Sequence, residues 1–104
     1  MKLDDYQDEA FSYAIKEARV IPYMVMGMAG EVGELNSWYA KTLRDGYGTR
    51  DFEDVKKELG DVLWFVAGLC SVYGMKLSDI ARMNIEKLES RKQRNAIKGD
   101  GDNR

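Results

Sequence analysis

Two pairs of carboxylates carry the clearest chemical signal in this sequence. Glu31 and Glu34 are three residues apart, and Glu58 and Asp61 repeat that spacing further along the chain. Residues at positions i and i+3 lie on one face of a helix, so each pair projects two carboxylates in one direction. A short helix–loop–helix connection allows the two pairs to face each other. We therefore expect one cluster of four acidic side chains.

Apolar neighbours make such a cluster costly unless its charge is neutralised. Asp61 lies inside the run 59–66, and the first pair follows the mostly apolar stretch 23–29. A carboxylate in this setting takes up a proton, pairs with a cation or binds a metal. Hard cations such as Mg²⁺ or Mn²⁺ prefer oxygen ligands. The alternative is a solvated acidic face, with Lys56 and Lys57 as ion-pair partners.

Composition excludes several other chemistries. The 104-residue chain has no histidine, which excludes Ser-His-Asp and Cys-His catalysis, and its single cysteine excludes an intramolecular disulfide. A net charge of −2 and a pI near 5.2 leave no electrostatic footprint for nucleic acid. No stretch approaches the ~20 apolar residues of a membrane span, and the first residues lack a signal-peptide pattern. We expect a cytoplasmic protein with neither a nucleic-acid nor a membrane partner.

The elements that must position the acids are predicted to be four helices. Their expected ranges are Asp4 or Asp5 to about Arg19, Pro22 to Arg44, Thr49 or Asp51 to about Tyr73, and Ser78 to about Arg94. Proline suits a first helical turn, and Gly46 and Gly74 suit the ends of the second and third helices. Short connections favour an all-α, four-helix antiparallel bundle. One domain over 1–97 would be followed by an irregular tail at 98–104.

Three glycines recur every third residue in the second predicted helix, at Gly27, Gly30 and Gly33. Each costs about 1 kcal/mol relative to alanine in a helix interior. Close approach of another helix, or room for a ligand beside the acids, would compensate. The sequence favours neither explanation over the other.

Taken together, these motifs resemble the MazG-like, all-alpha nucleoside triphosphate pyrophosphohydrolases. The hallmark of that family is ExxE, a spacer and then ExxD, which here are Glu31-x-x-Glu34 and Glu58-x-x-Asp61. The strings 29–34 and 57–64 and the ending 99–104 are also similar to that family, as is a pattern of Asn84, Lys87 and Arg91. The resemblance covers nearly the whole chain, and it suggests that the tail 98–104 folds toward the active site.

The resemblance implies an enzyme that cleaves a ribo- or deoxyribonucleoside triphosphate into the monophosphate and pyrophosphate. It implies that Mg²⁺, with Mn²⁺ as a substitute, is held by the acidic quartet Glu31, Glu34, Glu58 and Asp61. Glu34 and Glu58 would also act in catalysis, and Glu34 is favoured as the base for the attacking water. A homodimer or homotetramer is implied as well.

Candidate substrate-binding residues complete this prediction. Asn84, Lys87 and Arg91 share a stripe of the fourth predicted helix, where cations can neutralise phosphates. Lys41 is a further phosphate candidate, and Trp38 is a candidate wall for the base pocket. The structural alternatives are a solvated basic face near a helix C-terminus and an aromatic residue of the core.

Two other functions stay open at this point. A phosphoribosyl-ATP pyrophosphohydrolase-like variant belongs to the same superfamily and would differ only in substrate. A non-catalytic, oligomeric helical interaction module would use the acid pairs as surface charge only. Six methionines in the chain supply adaptable apolar surface and favour oligomerisation. Metal dependence separates the enzymes from the module.

Overall fold

The chain is all-helical. The structure, a computed structural model, describes all of residues 1–104 and contains four α-helices and no strand. The helices are α1 (Leu3–Ser12), α2 (Ile21–Asp45), α3 (Glu53–Tyr73) and α4 (Leu77–Gln93), with single 3₁₀ turns at Lys16–Ala18 and Tyr47–Thr49. The predicted all-α, four-helix fold is confirmed.

The antiparallel pair of α2 and α3 forms the centre of the molecule. Pro22 lies in the first turn of α2, where its missing N–H is not needed. Gly46 follows α2 at φ 103°, and Gly74 follows α3 in the left-handed region at φ 74°. A side chain rarely adopts such φ values, so both helices end at glycine. These predicted ends are confirmed.

The predicted end of the first helix is wrong. α1 stops at Ser12 rather than near Arg19, and the chain then turns. The Arg19 guanidinium caps this turn: it donates to the carbonyls of Ala14 at 3.0 Å and Phe11 at 3.3 Å. The turn brings Ala14 against the fully buried Met24 of α2. Packing against α2 therefore overrides the helical propensity of this segment.

Residues of α1 tie the start of α4 to α3. The buried Gln7 amide donates to Met75 O at 2.8 Å and Ser71 Oγ at 3.1 Å, and its oxygen accepts the Leu77 N–H at 2.7 Å. Ser78, the predicted start of α4, lies in its first turn. Its N–H and hydroxyl both donate to the Asp4 carboxylate, at 3.0 and 2.8 Å. The helix is thus capped from α1, which a local sequence pattern does not reveal.

α4 leaves the α2–α3 pair. The chain changes direction by 107° between α3 and α4, so α4 is not antiparallel to α3 and contacts α1 instead. No single helix is both long and apolar enough for a membrane span. Only α3 and α4 taken together, across their bend, have that length and apolar composition. The irregular segment 98–104 folds back onto α4, where Lys87 and Arg91 donate to Asp102. The Arg104 guanidinium donates to the carbonyls of Ala96, Ile97 and Gly101, which follow the helix.

Candidate metal centre and the cleft beside it

Three of the four predicted acids converge between α2 and α3. One carboxylate oxygen from each of Glu31, Glu58 and Asp61 lies within 4.8 Å of the others. The two glutamates are half-buried and Asp61 is exposed. Antiparallel packing of α2 and α3 brings these positions opposite each other. Three carboxylates at this separation can all offer oxygen to one divalent cation.

The electrostatics of this group call for positive charge. The pKa of Glu31 is raised, first by desolvation, then by a hydrogen bond to Glu58 that only the protonated acid can make, and also by the nearby carboxylates. Glu58 Oε2 is buried and has no hydrogen-bond partner in the chain. A proton or a cation placed here would reduce the repulsion among the carboxylates and give Glu58 Oε2 a partner. The all-oxygen donor set and the unpartnered oxygen fit Mg²⁺ or Mn²⁺.

Glu34 takes a different place from the other three acids. It is not part of the three-acid group, although its charge contributes to the raised pKa of Glu31. It lines an adjoining cleft of about 210 Å³, which it shares with Glu58. The quartet is therefore arranged as three converging carboxylates and one beside them. Glu34 is therefore the acid of the quartet that lies beside the group and borders the cleft.

The adjoining cleft combines acidic and basic side chains. The residues that line it are Glu34, Ser37, Trp38, Lys41, Arg50, Asp54, Lys57 and Glu58. The two predicted substrate residues of the second helix, Trp38 and Lys41, are among them. Ser37 lies three residues after Glu34, and Asp54 lies four residues before Glu58. Helical spacing from the acids could therefore have identified both. Arg50 lies in the loop before α3, so no helical periodicity points to it.

Trp38 is both a wall of the cleft and an anchor for the neighbouring loop. Its side chain is buried, with ring centroids 4.8 Å from Tyr39 and 5.5 Å from Phe52. The Trp38 carbonyl accepts the buried Thr42 hydroxyl at 2.7 Å. Its indole N–H is buried and has no hydrogen-bond partner. Trp38 therefore presents a polar donor as well as an aromatic surface.

The predicted stripe on α4 lies apart from the acids within one chain. Asn84 and Lys87 line a second cleft of about 340 Å³ that shares no residue with the first. Arg91 is buried and donates to Asp102 O at 2.7 Å, and Lys87 Nζ lies 3.2 Å from Asp102 Oδ1. The segment 98–104 thus engages two of the three stripe residues. Their contact with substrate stays a prediction.

Comparisons with known proteins show what the sequence of this chain is similar to. A sequence model of the family described as MazG nucleotide pyrophosphohydrolase domain matches residues 22–95, which hold all four acids and the α4 stripe. The Gene 37 protein of Mycobacterium phage L5 is 39% identical over 114 aligned positions, which cover 100% of each chain. No solved structure matches the chain significantly.

Proposed function

The chain belongs to the MazG nucleotide pyrophosphohydrolase family, and on that premise we propose that it hydrolyses nucleoside triphosphates, with ribose or deoxyribose, to the monophosphate and pyrophosphate. The observation that carries this proposal is the convergence of three carboxylates from α2 and α3 beside a cleft that holds three cationic side chains. Carboxylates suit a divalent cation, and cationic side chains suit phosphate oxygens. A free nucleotide substrate also agrees with the expected cytoplasmic location.

We assign the metal to the predicted acids. Glu31, Glu58 and Asp61 would hold Mg²⁺, or Mn²⁺ in its place, and Glu34 would complete the set from the adjoining cleft. Bound there, the cation supplies positive charge to the phosphate oxygens and lowers the pKa of water. The unpartnered Glu58 Oε2 and the raised pKa of Glu31 support this assignment.

The chain's own residues supply the remaining chemistry. Glu34 borders the cleft without belonging to the three-acid group, so its carboxylate is the proposed base that takes a proton from the attacking water. Glu58 lies in both the group and the cleft and would orient that water. Lys41 would bind a phosphate, and Trp38 would form the wall beside the nucleotide.

The shape of the chain supports a homodimer or homotetramer. A compact monomer of this mass exposes about 6,000 Å² and has a radius of gyration of about 13 Å. This chain exposes 7698 Å² and has a radius of gyration of 16.6 Å. Large apolar side chains such as Met26 on α2 and Met83 on α4 are among those exposed. Association of copies would cover this surface, and light scattering at micromolar concentration should give at least twice the monomer mass.

The reaction is tested by measuring products from a panel of nucleoside triphosphates with and without Mg²⁺. Pyrophosphate and monophosphate should appear in equal amounts, only with the metal, and the Glu58→Gln variant should lose this activity. Glu53→Gln is the matched control, because Glu53 lies on the same helix but forms an exposed ion pair with Lys56. It should keep the activity of the native chain.

Other outcomes lead to different conclusions. Release of single phosphate would mean that the cleavage position is wrong. Preferred turnover of phosphoribosyl-ATP would indicate the variant within the superfamily. No turnover of any nucleotide, together with no thermal stabilisation by Mg²⁺, would contradict the enzyme and support the interaction module.

A further inference from the structure

Two residues that line the cleft beside the acids each have a buried N–H with no hydrogen-bond partner in the chain. Trp38 Nε1 and Arg50 Nε are both buried and have no partner. Trp38 is only 7% exposed, so its donor is shielded from bulk water. Buried donors without partners are rare in folded proteins. Both residues line the cleft, so a ligand with several acceptor oxygens suits this place in the fold.

Arg50 is held in place but is little used by its neighbours. Its nearest partner, Asp45 Oδ2, is 3.4 Å away. Arg44 already binds that carboxylate with two contacts of 2.7 and 2.8 Å and is the main cause of its lowered pKa. A guanidinium has five N–H donors, so most of those on Arg50 stay available.

The loop that carries Arg50 has its own supports. Thr49 donates to the Gly46 carbonyl through its hydroxyl at 2.6 Å and its N–H at 3.2 Å. Phe52, on the other side of Arg50, contacts the Trp38 ring. The Asp45 contact is therefore not needed to hold this loop. The guanidinium is placed at the cleft by the backbone around it.

Two lysines add positive charge to the same cleft. Lys41 and Lys57 both line it, and neither forms an ion pair within the chain. The neighbouring Lys56, by contrast, pairs with Glu53 at 2.8 Å. Two lysines without an ion pair, together with an arginine whose one ion pair is long, suit a ligand with several negative charges.

We propose that Arg50, with Lys41 and Lys57, binds the β- and γ-phosphates of the nucleotide, the part that leaves as pyrophosphate. The inference rests on the proposed function. In that reaction water adds its oxygen to the α-phosphorus, and its proton passes to a base. The bond from the α-phosphorus to the bridging oxygen breaks, and its electron pair stays on pyrophosphate. The three cations face the negative charge that the leaving group gains.

Inorganic pyrophosphate with Mg²⁺ is the direct probe of this subsite. Arg50→Gln should weaken its binding by about tenfold or more in calorimetry, since charge-assisted hydrogen bonds are lost. Arg50→Lys should recover part of that loss. Arg44→Gln is the matched control, because Arg44 shares Asp45 with Arg50 but does not line the cleft. Lys57→Gln and Lys56→Gln form a second matched pair.

Product inhibition distinguishes a phosphate-binding role from a structural one. In Arg50→Gln the inhibition constant of pyrophosphate should rise by about tenfold, while that of the monophosphate should not change. An equal loss for both products, with a lowered melting temperature, would overturn the proposal. So would pyrophosphate binding that is the same in Arg50→Gln and Arg44→Gln.

The two proposals fail in different ways. If the native chain turns over nucleotides and Arg50→Gln matches Arg44→Gln in every measurement, the subsite is wrong and the proposed function stands. If no nucleotide is turned over but pyrophosphate binding depends on Arg50, Arg50 binds pyrophosphate and the proposed function is wrong.

Discussion

Alanine at Gly27 should destabilise the fold, because the aromatic ring of Phe65 occupies the space that a side chain would need. A methyl group there would lie 2.8 Å from Phe65 Cδ1 and closer still to Cε1 and Cζ. The ring cannot move freely, since it packs edge-on against Trp64 at 5.0 Å and lies 6.4 Å from the Tyr23 ring. Gly27 therefore permits the close approach of α2 and α3.

The expected magnitude combines two opposing terms. Overpacking of a tight contact costs about 1–3 kcal/mol. Alanine regains about 1 kcal/mol of helix propensity relative to glycine. Because all three contacts with the Phe65 ring are too short, the overpacking cost should lie in the upper part of that range. The net loss at Gly27 should then be about 1–2 kcal/mol, which lowers the melting temperature by roughly 4–16 °C in a chain of this size.

Gly33→Ala is the matched control in the same helix. Apart from its chain neighbours and the backbone of its own helix, no heavy atom lies within 4 Å of the added methyl group, so only the propensity gain applies. This variant should be more stable than the native chain by up to about 1 kcal/mol. Urea unfolding at one fixed protein concentration measures both variants and removes the effect of association on stability.

A double-mutant cycle identifies the contact itself. In a Phe65→Leu background the ring is absent, so Gly27→Ala should cost clearly less than in the native chain. Native-like stability of Gly27→Ala would refute the reasoning. An undiminished cost in the Phe65→Leu background would show that the ring is not the cause.

Three further predictions concern hydrogen bonds and titration. Gln7→Leu removes three hydrogen bonds, including the acceptor of the Leu77 N–H. The free energy of unfolding, measured by urea unfolding, should fall by about 3 kcal/mol. A loss well below 1 kcal/mol would contradict this prediction. Hydrogen bonds from Ser78 lower the pKa of Asp4. The stability difference between the native chain and Asp4→Asn should therefore hold above the pKa that Asp4 has in the unfolded chain, and should shrink as pH falls through its pKa in the folded chain. Urea unfolding across acidic pH measures this difference, and a constant difference would contradict the prediction. The pKa of Glu31 is raised, mainly by desolvation. With a chelator present, the native chain should therefore lose stability as pH rises through that pKa, whereas Glu31→Gln should not. Identical pH profiles of the two proteins would show that the titration of Glu31 is not the cause.

Much of the candidate site could be predicted from helical periodicity. The acids of α2 and α3 share faces because i and i+3 positions always do in a helix. Periodicity also pointed to Lys41 and Trp38, which line the cleft beside the acids. It did not reveal that Glu34 lies outside the three-acid group, because that depends on how α2 and α3 are rotated against each other. Arg50 was missed because its position depends on a loop.

The α4 stripe shows a similar limit. Asn84, Lys87 and Arg91 have the predicted spacing, but spacing does not say what a helix face meets. The 107° turn after α3 carries α4 away from the acids, and Asp102 of the following segment engages two of the three residues. Whether substrate meets this stripe is decided between elements, or between copies of the chain.

The sequence by itself determined the helical class, the ends of α2 and α3 and the spacing of the acids, because these depend on local rules. Proline at a first turn, glycine at a C-terminus and the 3.6-residue period act within a few residues. Only the tertiary structure decided where α1 ends and how α4 is capped. Arg19 and the core around Met24 end α1, and Asp4 caps Ser78 across 74 residues of sequence. Such contacts form only when packing of the apolar faces brings distant segments together, so local propensity does not encode them.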